Sequence, residues 1–350
     1  MTVPWMHGVF GSSRAPEPRP RTTYTCIVKL AALELLLSGG VHSYRIKDET
    51  KSAYLVTSVR KPPQITMESE DLFTKISKVM SPWFEYESGH AWCESAYKYQ
   101  TLTFVAEFAN TLTNLPIIVL PLVNVAILWR YIKEVNWHII LPHLLLTFNG
   151  LASTYYHATL NLFGQLVDEL SLVWLINMCL VVYMPVMKWY PQHLKTHINQ
   201  IRWGIVGLTV AVSGLCFIKP NLNALALMTY SVPSVFVIYY EGSKAGMPAA
   251  WSTTWKIFVL WAVATTCWFS DRLLCDVWLY LGIPYLHAIF HLISSVAGYH
   301  VFVMFSLVDI KRREAEHKFT PVVKHFPVDR SEWYTVPYIT LVDRSQAHAE

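Results

Sequence analysis

The sequence predicts an all-α integral membrane protein: a seven-transmembrane helix bundle with a metal site near its lumenal or outer face. Three observations carry this reading. The chain of 350 residues is 53% hydrophobic and only 15% charged, whereas soluble domains carry roughly 25% charge. From residue 103 onward seven apolar stretches follow one another, near 103–129, 138–158, 165–186, 202–218, 222–240, 253–272 and 284–308. Each is long enough to cross a bilayer as a helix, the fourth and fifth only marginally. Finally, three histidines, His157, His287 and His291, sit inside these stretches. Ionisable groups at membrane depth are costly and rare, which makes them functional candidates.

Residues 1–80 differ from the rest. They are rich in Pro, Ser, Arg and Lys, with a Pro- and Arg-rich segment at 14–20, and are expected to be a poorly ordered extension. Their one apolar run, 26–38, is too short for a span and contains Lys29 and Glu34. A signal-like run and an amphipathic surface helix both fit it. Residues 81–310 form the expected membrane domain and 311–350 a C-terminal tail.

Loop charge sets the orientation. The connection after the first stretch holds Arg130 and Lys133, that after the third Lys188, Lys195 and Arg202, that after the fifth Lys244 and Lys256. The tail opens with Lys311, Arg312 and Arg313, while the alternate loops hold little beyond Lys219. By the positive-inside rule these basic connections and the C-terminus are cytosolic, and the N-terminus faces the lumen or exterior. The net charge of +4 clusters at segment ends, so no nucleic-acid partner is expected. Cys179, Cys216 and Cys267 lie in apolar runs and are expected to pack as small hydrophobes.

This orientation puts His157 at the outer end of the second stretch, His287 and His291 in the first turns of the seventh, and Asp168 in the first turn of the third. Four ionisable groups thus share one membrane depth. His287 and His291 are four apart and lie on one helix face, as do Ser153 and His157. His300, nine positions past His291, falls on roughly the opposite face. His138 and His143, at the inner start of the second stretch, read as interfacial.

Three neutral imidazoles with one open position are the donor set of a catalytic zinc site. A carboxylate such as Asp168 can move protons there. The adjacent Glu169 points about 100° away, and periodicity does not decide which of the two faces the bundle. The Ser153 hydroxyl can donate to a developing oxyanion or bond the carbonyl four residues back. These parts suit hydrolysis of an ester or amide, with a lipid as substrate.

The same residues carry a family resemblance. Ser153-x-x-x-His157, Gly-Gln-Leu-Val-Asp-Glu at 164–169 and His287-x-x-x-His291 occur together with Trp-Cys-Glu-Ser at 92–95, Ala-Glu-Phe at 106–108, Lys-Pro-Asn-Leu-Asn-Ala-Leu-Ala at 219–226 and Ser-Asp-Arg-Leu-Leu-Cys at 270–275. Over about residues 83–342 the chain resembles the alkaline ceramidases, part of a seven-span hydrolase superfamily that also includes adiponectin-receptor-type proteins. The resemblance implies cleavage of the ceramide amide to sphingosine and a fatty acid, with zinc on His157, His287 and His291. It implies Asp168 as general base and acid and Ser153 as oxyanion stabiliser. It also implies a disulfide between Cys93 and Cys275, and an ER, Golgi or plasma-membrane location.

The family's pattern before the first span further implies a calcium site. Here Trp92, Glu94 and Glu107 match it, but Ala91 and Ala96 replace two oxygen-bearing side chains, and two extra residues separate Trp92 from Glu107. Calcium needs six to eight oxygens, so a weakened or remodelled site is expected. The competing reading is a seven-span receptor with weak or no ceramidase activity. A receptor, however, does not need a metal-ligand set with an acid beside it. A transporter is disfavoured by the lack of internal repeats.

Overall fold

The computed structural model describes residues 72–88 and 92–344. Ala91 and most of the N-terminal extension lie outside these residues. The first described element is α1 (Leu72–Glu85), and a short 3₁₀ turn follows at Cys93–Tyr97. Next come α2 (Phe108–Leu112), α3 (Leu115–Ile127), α4 (Trp129–Glu134), α5 (Ile140–Thr159), α6 (Leu162–Tyr183), α7 (Ile198–Ile218) and α8 (Asn223–Ser243). The helices end with α9 (Pro248–Leu273), α10 (Cys275–Tyr280) and α11 (Leu286–Arg312).

All seven apolar stretches fall on helix. Among the described residues, five helical segments are long and apolar enough to cross a membrane: 108–127, 162–186, 193–218, 220–243 and 286–312. Helices α5 and α9, of 20 and 26 residues, are as long but carry more polar side chains. The α5–α6 corner is built locally. Leu160 takes the left-handed conformation (φ 54°) that ends α5, and the Asn161 side chain accepts from the Gly164 amide at 2.7 Å to start α6, the usual role of an N-cap asparagine.

Helix α11 is the central helix, buried almost continuously from Tyr299 to Ile310, and packs chiefly against α9 and α3. Helices α3 and α5 approach closely at Gly150, where a Cβ would stand 2.7 Å from Ile118 Cγ1. That contact excludes any larger residue without movement of α3.

The expectation of an all-α chain needs one amendment. The tail folds into an antiparallel hairpin, β1 (Phe319–Phe326) with β2 (Val336–Asp343), in register from Phe319↔Asp343 to Phe326↔Val336. Phe319 and Ile339 are fully buried and join the core with Leu128, Tyr131, Val303 and Ile310. Both strands are rich in β-branched and aromatic residues around a polar turn, a hairpin signal masked by the basic residues that precede it.

His143 also departs from expectation. It is not interfacial but fully buried. Its Nδ1 meets the Ile139 carbonyl at 2.7 Å, its Nε2 meets Asn124 Nδ2 at 2.9 Å, and the ring stacks on Phe302. His138 is exposed and stacks on Trp137.

Two cations at the end of α11 meet buried carboxylates. Arg312 pairs with Glu241, which also accepts from the Lys188 and Trp189 amides at 2.9 and 3.0 Å. Arg313 pairs with Asp309, which holds the Tyr131 hydroxyl at 2.7 Å.

Candidate metal centre

His157 is in the last turn of α5, and His287 and His291 are in the first two turns of α11. All three are buried, at 1%, 3% and 3% exposure. Their ring centroids lie 4.5–5.0 Å apart, and one ligand atom from each falls within 4.8 Å of the others.

The ring partners assign the tautomers of two of them. His157 Nδ1 lies 2.6 Å from Glu107 Oε2, and His291 Nδ1 lies 3.1 Å from the Asn110 carbonyl oxygen. A carboxylate and a carbonyl only accept, so in the neutral rings Nδ1 carries the proton and Nε2 keeps its lone pair. His287 Nε2 stands 3.4 Å from His157 Nε2, and its ring stacks on Trp92 with centroids 3.6 Å apart. The convergent nitrogens fit a divalent metal that accepts imidazole. His300 stays out of the group, its Nδ1 on the Val296 carbonyl of its own helix at 2.7 Å.

Ser153 is buried one turn before His157, with its hydroxyl close to the Asp168 carboxylate. Asn149 Nδ2 reaches the same carboxylate at 3.3 Å and Ser171 Oγ at 2.8 Å. Asp168 therefore faces α5. Glu169 turns to the other side, where it accepts from Gln165 at 3.1 Å and from Asn223 of α8 at 2.5 Å.

Of the residues expected around calcium, Glu94 and Glu107 both accept hydrogen bonds from the protein. Glu94 Oε1 accepts from the Ala109 amide at 2.6 Å and Oε2 from the Asn110 amide at 2.8 Å. Burial pushes the Glu94 carboxyl above its ordinary range, and those two amides oppose the shift. Glu107 accepts from Ser95 Oγ, from Asn110 Nδ2 and from His157. Each oxygen of the two carboxylates thus has a protein donor, and Ala96 contributes no side-chain oxygen. Calcium takes six to eight oxygens, so the loss of a side-chain oxygen at Ala96 leaves fewer ligands for it here.

Two residues that sequence reasoning did not single out bind the site together. Asn110 meets Glu94 through its amide, Glu107 through its side chain and His291 through its carbonyl. Asp271, at the end of α9 and 1% exposed, accepts from the Cys93 amide at 3.0 Å and the His287 amide at 3.2 Å. The second contact satisfies a free N–H in the first turn of α11. Cys93 and Cys275 are joined in a disulfide with Cα atoms 5.3 Å apart, which ties the segment before α2 to the start of α10. Asp271 lay within one of the quoted motifs, but only the fold gives it a task.

The sequence profile of the family described as Ceramidase matches residues 84–340. A Caenorhabditis elegans protein named alkaline ceramidase is 61% identical over 270 residues, covering 77% of this chain and 99% of that protein. A Drosophila melanogaster protein of the same name is 32% identical over 256 residues, covering 73% and 88%. Human alkaline ceramidase 1 is 32% identical over 260 residues, covering 74% and 96%. On this coverage and identity, the chain belongs to the alkaline ceramidase family.

Proposed function

We propose that this chain hydrolyses the amide bond of ceramide, giving sphingosine and a free fatty acid, at a zinc centre held by His157, His287 and His291. The observation that carries the proposal is the buried histidine triad, with ring nitrogens within 4.8 Å of one another, in a chain whose relatives are named alkaline ceramidases. Zinc bound there would supply Lewis acidity toward water and toward the amide carbonyl.

The chain's own groups do the rest. Asp168 accepts a proton from the attacking water and returns it to the leaving nitrogen as the carbon–nitrogen bond breaks. Asn149 holds Asp168, and Ser153 donates to the oxyanion as the carbonyl becomes tetrahedral. Glu107 and Asn110 fix the rings of His157 and His291. The segment before α2 acts as a brace held by the Glu94 and Glu107 hydrogen bonds, with calcium binding weakly or not at all.

The seven helical stretches are the spans, with the N-terminus lumenal or exterior, the C-terminus cytosolic and the site toward the outer leaflet of an ER, Golgi or plasma membrane. The test is ceramide turnover and metal content on one purified sample, before and after chelation, and in His291→Ala. Loss of product with loss of zinc is expected. Full turnover by the zinc-free protein would overturn the mechanism.

A further inference from the structure

The turn of the C-terminal hairpin carries apolar groups that the protein leaves largely exposed. Trp333 is 88% exposed, Phe326 70%, and Val328 and Tyr334 50% each. A tryptophan left this bare in water is unusual, because its ring is apolar with a single polar N–H and favours a boundary between oil and water.

The position of this turn is fixed. Ser331 Oγ lies 3.0 Å from Ser252 Oγ, and Lys256 Nζ donates to the Thr335 carbonyl at 2.9 Å. Ser252 and Lys256 are one turn apart on α9, at the point where its polar start gives way to the apolar run from Ile257. On the outward side of that same turn stand Trp255 and Val259, 53% and 59% exposed. Trp251 packs edge-on against both Trp255 and Tyr239 of α8. The turn thus continues an aromatic girdle at one height on the helices.

We propose that this turn is an interfacial anchor: Phe326, Trp333 and Tyr334 sit in the headgroup region of the cytosolic leaflet of the protein's own bilayer. Continuity with the lipid-facing surface of α9 selects the bilayer as the occupant. Charge does not drive the contact, since Asp329 and Glu332 offset Arg330 and Lys324 on the hairpin. Zwitterionic lipid therefore suffices. The proposal rests on α9 being a span.

The test places an environment-sensitive fluorescent amino acid at position 333 of the full chain in phosphatidylcholine nanodiscs, with position 259 as the depth control. At 333, a nitroxide carried near the lipid headgroup is expected to remove most of the emission, and aqueous iodide little of it. Quenching by iodide alone would show a bare surface and overturn the anchor. Shielding from both quenchers would place a protein, such as a second copy of this chain, over the turn and overturn it equally. If 259 escapes lipid quenching, the seven-span reading fails. If 259 is lipid-quenched and 333 is not, only the anchor fails. Should the residue at 333 unfold the hairpin, the same probe at Phe326 gives the same readout.

Discussion

Glu107 Oε2 lies 2.6 Å from His157 Nδ1, with both side chains buried. A carboxylate behind a metal-binding imidazole fixes its tautomer and strengthens its free nitrogen as a donor. Glu107→Gln keeps the shape but removes the charge, so zinc affinity should fall by about 10–100-fold. A competition titration against a chelator of known affinity reads this directly. Unchanged affinity would reduce Glu107 to packing.

Asp168→Asn should retain zinc while turnover of ceramide drops by roughly 10²–10⁴-fold, the range expected for loss of a general acid–base group. Metal analysis and product formation on the same preparation separate the two effects. A variant with full zinc and full turnover would remove Asp168 from proton transfer.

Asp271→Asn acts at a distance from the reacting atoms. It weakens the acceptor for the Cys93 and His287 amides, which costs about 1–3 kcal/mol when a buried partner is left unmet. The expected outcome is a lower thermal midpoint and reduced zinc occupancy together. Normal occupancy in a destabilised protein would mean that Asp271 supports the fold but not the histidines.

Breaking the Cys93–Cys275 bond by Cys275→Ser should cost about 2–5 kcal/mol, seen as a lower unfolding midpoint under non-reducing conditions. The wild-type protein should fall to the same midpoint when reduced. Two alkylatable thiols at these positions in native, unreduced protein would contradict the pairing.

Calcium should matter little. With the oxygens of Glu94 and Glu107 already engaged, added calcium should neither raise the thermal midpoint nor stimulate turnover of the zinc-loaded protein appreciably. Stimulation with a sharp micromolar dependence would restore a tight site.

Much of the centre was legible in the chain. Four-residue spacing puts two imidazoles on one helix face whatever the fold, and the same rule pairs Ser153 with His157. Loop charge gives His157 and Asp168 the same expected depth as that pair. The i to i+1 step separated Asp168 from Glu169 by about 100° but left their faces open. The packing of α6 against α5 on one side and α8 on the other sends Asp168 to Asn149, and Glu169 to Asn223. The hairpin's sequence signal is short and stands beside a cluster of basic residues. For His143, helical position alone does not reveal a buried partner such as Asn124.

By itself the sequence determined the apolar helices, their order and the identities of the three imidazoles, because these follow from local periodicity and from the cost of charge in hydrocarbon. Only the tertiary structure decided what stands behind each ring. Asn110, Glu107 and Asp271 reach the histidines across separations of many residues, through hydrogen bonds whose directions depend on how the helices pack. Periodicity gives the face a side chain points from; packing alone gives what it meets.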